Sequence, residues 1–397
     1  MNTIIRFGLG LLVVAASSMG ISAASADVVT DWNVRAVDIA SAATPLTPPT
    51  VRAMAIVQTA VYEAVNAGTP GASIEAAVAA ANRATLSKLF PAQQATIDSS
   101  YQAALSAIAE SPAKTEGIGL GEKAAAAVLA LRMDDGAAMP ESYRPYTAAG
   151  QYVPTVVPVA SQWPRRKPWV MTSASQFRPG PPPSLTSKLW ARDYAEVKAL
   201  GGKTSTQRTA EQTEIARFWE GPGPTIYSGV VRSVAAAPGR EVTQNARLLA
   251  AVAQAMDDAL IAVFDAKYHY NFCRPITAIR NGDKDGNDAT ERDASWTPFI
   301  DTPLHPEYPC AHCILSAAIG TVLQAEIGTG DTPTLSTTSP TVPGKVRRWT
   351  KISDFLQEVA NARIYDGVHF RNSTEVGSAM GKRIGELVAA KYLRPGN

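Results

Sequence analysis

Five residues in three short blocks carry the chemistry that this chain advertises. Lys267 and Arg274 lie in KYHYNFCRP (residues 267–275), His312 in PCAHC (residues 309–313), and Arg363 and His369 in RIYDGVH (residues 363–369). Three positive charges and two imidazoles are what a pocket for a tetrahedral, phosphate-like oxyanion needs. Cations and helix N-terminal amides hold the anion, and histidine supplies a nucleophile or ligand and a proton donor. Any one of these histidines, taken singly, is more commonly a cap or a core residue.

Helices must bring these blocks together. Residues 241–273 form the longest helical run, with an apolar stripe through Leu249, Val252, Met256, Leu260 and Val263. The same stripe reaches Lys267 and Arg274, which are seven apart and so expected on one helix face. Charges that continue a buried stripe are costly unless an anion compensates them. The plain alternative is that the helix leaves the core and both residues are solvated. Pro275 pushes Cys273 and Arg274 toward the helix end. Pro309 precedes a helix over 310–325, whose small first residues leave amides free to face an anion and put His312 in the first turn. Arg363 and His369 are six apart and share no helix face, so Asp366-Gly367 must break the helix between them.

The remainder of the chain reads as scaffold. It has 397 residues, is 46% hydrophobic and carries a net charge of +2, which gives no sign of a nucleic-acid or anionic-membrane partner. Helices are expected at 51–65, 73–90, 92–109, 119–132, 185–200, 207–219, 351–363 and 374–392. Residues 140–184, rich in Pro, Gly and aromatics, form an extended connector, and Gly221-Pro222-Gly223-Pro224 is a second break. Residues 1–26 read as a signal peptide, with Arg6, an apolar run from Phe7 to Ala16 and the A-x-A site Ala24-Ser25-Ala26. The mature chain is therefore expected to be exported, to a bacterial periplasm, without a membrane span. The expected division is 27–180 as an N-terminal helical region, 181–240 as connector and helices, and 241–397 as the catalytic bundle. Subunits could pair through N-terminal helical faces.

The order K-x6-R-P, P-x-x-H, R-x5-H resembles the phosphatidic acid phosphatase type 2 and vanadium haloperoxidase superfamily. The surrounding text (DAKYHYNFCRPITAIR, HPEYPCAH, ARIYDGVHFR) resembles its vanadium-dependent haloperoxidase-like branch. The resemblance implies an all-α double helix-bundle in which Lys267, Arg274 and Arg363 hold oxygens of vanadate or phosphate. It implies that His369 is the vanadium ligand of a haloperoxidase, acting on peroxide and halide. In an acid phosphatase, which needs no cofactor, His369 would instead be the nucleophile toward a phosphate ester. His312 is then the general acid/base, and the Ala311 amide donates to the anion. Two departures stand out. Cys310-Ala311 replaces the usual Ser-Gly, which makes Cys310 a poorer donor and an oxidisable thiol. Ser373 stands where family members often carry an Asp that orients the second histidine. A disulfide from Cys273 to Cys310 or Cys313 would protect the thiol if both blocks wall one pocket.

Rival readings are a thioredoxin-type Cys310-x-x-Cys313, which wants a βαβ context, and a zinc site of His305, Cys310, His312 and Cys313. A non-catalytic oxyanion-binding bundle is a third. Asp283-x-Asp285-Gly286-Asn287-Asp288 hints at calcium, but its glycine comes too early and a plain turn is expected. His269 is expected on the helix surface or behind the site.

Overall fold

The first helix, α1 (Val28–Ala43), starts where the Asp27 carboxylate accepts the Thr30 amide at 2.8 Å. The structure is a computed structural model that describes residues 27–44 and 46–393; the expected signal peptide, 1–26, lies outside them. α2 (Thr47–Asn66), α3 (Ile74–Leu89), α4 (Gln94–Ser106) and α5 (Pro112–Arg132) follow. α3 packs on α5, and α2 packs on both. Ser73 and Ser111 cap α3 and α5 through their hydroxyls.

No α-helix occurs between α5 and α6 (Lys188–Leu200), as the Pro- and Gly-rich sequence of that stretch predicts. Buried charge holds this connector to the long helix α9 (Val242–Tyr270). α7 (Ala210–Phe218) and α8 (Gly223–Ala235) intervene in the chain. Arg166 pairs with Asp257 at 2.6 Å and with Asp135 at 2.8 Å, all three being buried. The Asp258 carboxylate accepts the amides of Trp169, Val170 and Met171 at 2.7–2.9 Å. These bonds satisfy loop amides that have no helix or sheet to bond within.

α10 (Pro275–Arg280), α11 (Ala311–Ile327), the antiparallel hairpin of β1 (Leu335–Thr338) and β2 (Val346–Trp349), α12 (Ile352–Tyr365) and α13 (Arg371–Tyr392) complete the chain. The architecture is all-α apart from this hairpin, which packs against α8. The sequence reading took residues 221–224 as a break and did not foresee α8. Pro224 sits in its first turn, where a missing N–H costs nothing, and Ile226, Val230 and Val234 bury the stripe that follows.

α11 sits between α9 and α13 in the second half of the fold. Gly377, Gly381 and Gly385 form one stripe of α13 against α11. A Cβ at Gly381 would lie 2.2 Å from the Ile314 carbonyl, and one at Gly377 2.6 Å from the Cys310 carbonyl. This close approach ties the start of α11, and with it His312, to the start of α13, just beyond His369. Gly381→Ala should therefore lower stability by about 1–3 kcal/mol through overpacking. Urea denaturation reads this, and an unchanged midpoint would contradict the close packing. Among the described residues no helix is long and apolar enough to cross a membrane.

Candidate active site

Lys267 is in the last turn of α9, fully buried, with Nζ donating to the carbonyls of Pro306 (2.9 Å) and Glu307 (2.7 Å). Arg274 is not on that helix, contrary to the shared face expected from the seven-residue spacing. α9 ends at Tyr270, where Asn271 takes a left-handed conformation (φ 49°), and Arg274 is the N-cap of α10. Pro275 bars continuation of the helix, and Asn is one of the few residues that tolerates left-handed backbone. The turn folds Arg274 back into the site. Its Nε donates to the His305 carbonyl (3.0 Å) and Nη1 to the Val368 carbonyl (2.8 Å), and Nη1 lies 3.3 Å from His369 Nε2.

His369 follows the break at Asp366-Gly367, where Gly367 has φ +83°. Its amide donates to the Arg363 carbonyl at 3.1 Å. Its Nδ1 lies 2.7 Å from Oε1 of Glu307, which also accepts the Phe370 amide at 3.0 Å. A guanidinium can only donate. Arg274 therefore faces the Nε2 lone pair, and the ring proton is on Nδ1, toward Glu307. Burial first, then the charges of Arg274, Lys267 and Arg363, hold this imidazole well below its usual pKa. It is neutral, and its Nε2 lone pair faces the Arg274 guanidinium at 3.3 Å. Burial pushes Glu307 up to about 7, against the pull of Lys267 and Arg274.

Arg363, in the last turn of α12, pairs with Asp366 at 2.8 Å and donates to the Trp219 carbonyl at 3.1 Å, while its Nε has no partner. His312 is in the first turn of α11, and its Nε2 is shielded from solvent and without a partner. The Gly221 backbone beside this ring favours its protonated form, but burial and Arg363 outweigh it. Burial, and then Arg363, keep this ring neutral as well.

Ala311, His312, Arg363 and His369 form one wall of a cavity of about 250 Å³. Lys267 is buried and does not line this cavity, and Arg274 edges a second cleft that shares Pro303 and Leu304 with the first. Three buried cations, Lys267, Arg274 and Arg363, face two buried carboxylates, Glu307 and Asp366. Burial and neighbouring Arg274 depress Lys267 well below its ordinary pKa, and burial brings Arg274 down to about 10. Such a cluster gains from an added anion. Four buried atoms of the cluster lack a hydrogen-bond partner: Glu307 Oε2, Asp366 Oδ2, His312 Nε2 and Arg363 Nε, the last two on residues that line the cavity. These residues fit a bound oxyanion such as vanadate or phosphate.

The Cys310 thiol does not line the cavity. It caps α11, with Sγ accepting the Cys313 amide at 3.2 Å. The pairing of Cys273 with Cys310 or Cys313 is not formed, and all three cysteines are free and buried. Cys273 sits instead among Trp190, Phe272, Tyr308 and Phe370. Protection of the thiols here comes from burial. Among the described residues no group of three or more His, Cys, Asp and Glu is placed to hold a metal ion, so the zinc reading has no geometry behind it. The 283–288 stretch is a turn in which Asp285 accepts from Trp190 Nε1, the Asn287 amide and Thr290 Oγ1.

The second half of the chain, residues 247–396, matches the family model of the VCPO second helical-bundle domain. The chain superposes on the crystal structure of a bacterial vanadium-dependent iodoperoxidase with a TM-score of 0.77 at 22% identity, covering 92% of this chain and 97% of that one. The fold is the vanadium haloperoxidase helical-bundle fold. A bacterial vanadium-dependent chloroperoxidase matches in its apo form (TM-score 0.68, 18% identity, 87% of this chain and 93% of that one). Its holo form matches too (TM-score 0.66, 17% identity, 89% and 92%). No curated protein matches the sequence significantly. The family model and these structures together support the vanadium haloperoxidase-like branch.

Within this haloperoxidase fold two acids escaped the sequence reading. Glu307 takes the place at His369 Nδ1 that the Ser373 position leaves open, since Ser373 Oγ is 3.4 Å from the same nitrogen. Its signal was present: it is the one carboxylate in HPEYPCAH. Asp366 was read only as a helix breaker, yet it is the ion-pair partner of Arg363.

Proposed function

We propose that the chain is an exported, vanadium-dependent haloperoxidase-like enzyme that oxidises halide with peroxide at an oxyanion held by His369. The observation that carries this reading is the state of His369. Its Nδ1 is held by Glu307 at 2.7 Å, its ring is neutral and its Nε2 carries a lone pair toward Arg274 at 3.3 Å, on a residue of the cavity wall. The fold likeness to an iodoperoxidase and a chloroperoxidase along most of the chain supports it.

His369 Nε2 would ligate vanadate, while Lys267, Arg274, Arg363 and the Ala311 amide would hold its oxygens. Bound there, vanadate would supply a Lewis-acidic centre that makes peroxide electrophilic toward halide. His312 moves the proton: its free Nε2 accepts one from incoming peroxide and returns it to the departing oxygen. Glu307 holds the proton of His369 on Nδ1, so that the ligating nitrogen keeps its lone pair.

The same wall would serve an acid phosphatase, with His369 as nucleophile and His312 as acid toward a leaving alcohol. One metal-free preparation, assayed in parallel, separates the two. Vanadate-dependent oxidation of bromide or iodide by peroxide is the expected result. Hydrolysis of a phosphate monoester without halide oxidation would overturn the haloperoxidase reading in favour of the phosphatase.

A further inference from the structure

The second cleft that Arg274 edges has a volume of about 360 Å³, and its lining differs in kind from that of the His369 cavity. It carries two guanidiniums, Arg274 and Arg280, and four hydroxyls, Tyr152, Thr155, Thr277 and Thr302, with no carboxylate among the described residues. Arg280 ends α10 and is half-buried, with Nε donating to the Trp296 carbonyl at 2.8 Å. Among the described residues neither of its Nη groups has a partner, and no acid pairs with it. Tyr152 is only 4% exposed, yet its hydroxyl bonds to none of the described residues. A buried hydroxyl and a half-buried guanidinium without acceptors are donors in want of an anion.

We propose that this cleft binds free halide, at Arg280 and Tyr152, and supplies it to the reaction centre. The use of the halide rests on the haloperoxidase reading; its binding does not. The His369 cavity is lined by Leu46 and Leu304, both partly exposed, and by Leu260, Phe264 and Leu315. A halide entering there would shed its hydration against apolar side chains with nothing to offset the loss. Uncharged peroxide crosses the same surface at less cost. The second cleft instead replaces water by N–H and O–H donors. A spherical halide accepts from any direction, so it suits donors drawn from separate segments. Tyr152 and Thr155 come from the connector, Thr277 and Arg280 from α10, and Thr302 from the loop before α11. A tetrahedral oxyanion is better served by the amides at the start of α11. Arg274 joins the two spaces, since it edges the cleft while its Nη1 lies 3.3 Å from His369 Nε2. Pro303 and Leu304 line both. Halide held at Arg280 is thus stored one guanidinium away from the centre.

Two variants and bromide test this. Arg280→Gln and Arg280→Lys both lose the Nε–H that holds the Trp296 carbonyl, but only Arg280→Gln loses the charge. In the vanadate-loaded enzyme, Arg280→Gln should raise the KM for bromide by about tenfold, the scale of a hydrogen bond to a charged group, and leave the KM for peroxide in place. Arg280→Lys should restore most of the bromide KM, which a purely structural role for Arg280 would not produce. An unchanged bromide KM in Arg280→Gln would overturn the supply of halide from this cleft. Bromide NMR line broadening, read on protein without vanadate or peroxide, provides an arm free of activity. The unmodified protein should broaden the bromide signal, Arg280→Gln should lose most of that broadening, and Arg280→Lys should regain it. Equal broadening by the unmodified protein and Arg280→Gln overturns the site, whichever reaction the protein performs. Broadening that depends on Arg280 in a protein that oxidises no halide supports the site and removes the haloperoxidase reading alone.

Discussion

His369→Ala lowers turnover by about a thousandfold or more, the scale on which removing one member of a catalytic unit acts. The imidazole is neutral, its Nδ1 is fixed by Glu307 at 2.7 Å and its Nε2 lies 3.3 Å from Arg274. Among the described residues no other histidine pairs with a carboxylate that would fix its ring in this way. The variant should fold. The His369 amide still bonds to the Arg363 carbonyl, and Glu307 keeps the Phe370 amide at 3.0 Å. The lost bond to Glu307 costs about 1–3 kcal/mol, a tolerable share of a large domain's stability. Steady-state rates at saturating vanadate, with a vanadate titration, check the result. Turnover within tenfold of the parent enzyme would remove His369 from the centre of the site, under the haloperoxidase and the phosphatase readings alike.

Glu307→Ala should weaken vanadate binding by about 10–100-fold, the usual effect of removing the group that orients a ligating histidine. Without the 2.7 Å contact, the proton of His369 is free to move to Nε2, where it blocks ligation. Glu307→Gln should lose less, because its amide oxygen can still accept from Nδ1. The informative variant combines Glu307→Ala with Ser373→Asp. Ser373 Oγ already lies 3.4 Å from His369 Nδ1, so an aspartate there reaches the ring from the next helix and should recover most of the affinity. A Glu307 that served only to fill space would not be rescued by a carboxylate at a different position. Vanadate titration followed by absorbance reads all three variants.

The cations and imidazoles of the site, and the helices that carry most of them, could be read without the fold. α11 begins beside Pro309 because helix starts accept a preceding proline and small residues. His312 falls in its first turn by counting alone. The break before His369 was equally legible, since six residues cannot return to the same helix face and Asp366-Gly367 supplies the interruption. The connector of residues 140–184 announced itself through its prolines and glycines.

What the tertiary structure decided is which groups meet. Glu307 and His369 are 62 residues apart, and Arg363 and the Trp219 carbonyl are 144 apart. Local periodicity carries no trace of such pairs, because it records which face of an element is apolar and not what lies opposite. Arg274 makes the same point at short range. Seven residues after Lys267 it looked like a partner on one helix, until Asn271 turned the chain and gave it to a different helix. The cysteines likewise looked pairable by position. Aromatic packing took Cys273 and helix capping took Cys310. Residue types and spacing thus determined which residues are the candidates for an oxyanion site. Long-range packing determined that His369 is neutral, which carboxylate aims it, and how much apolar room stands beside it.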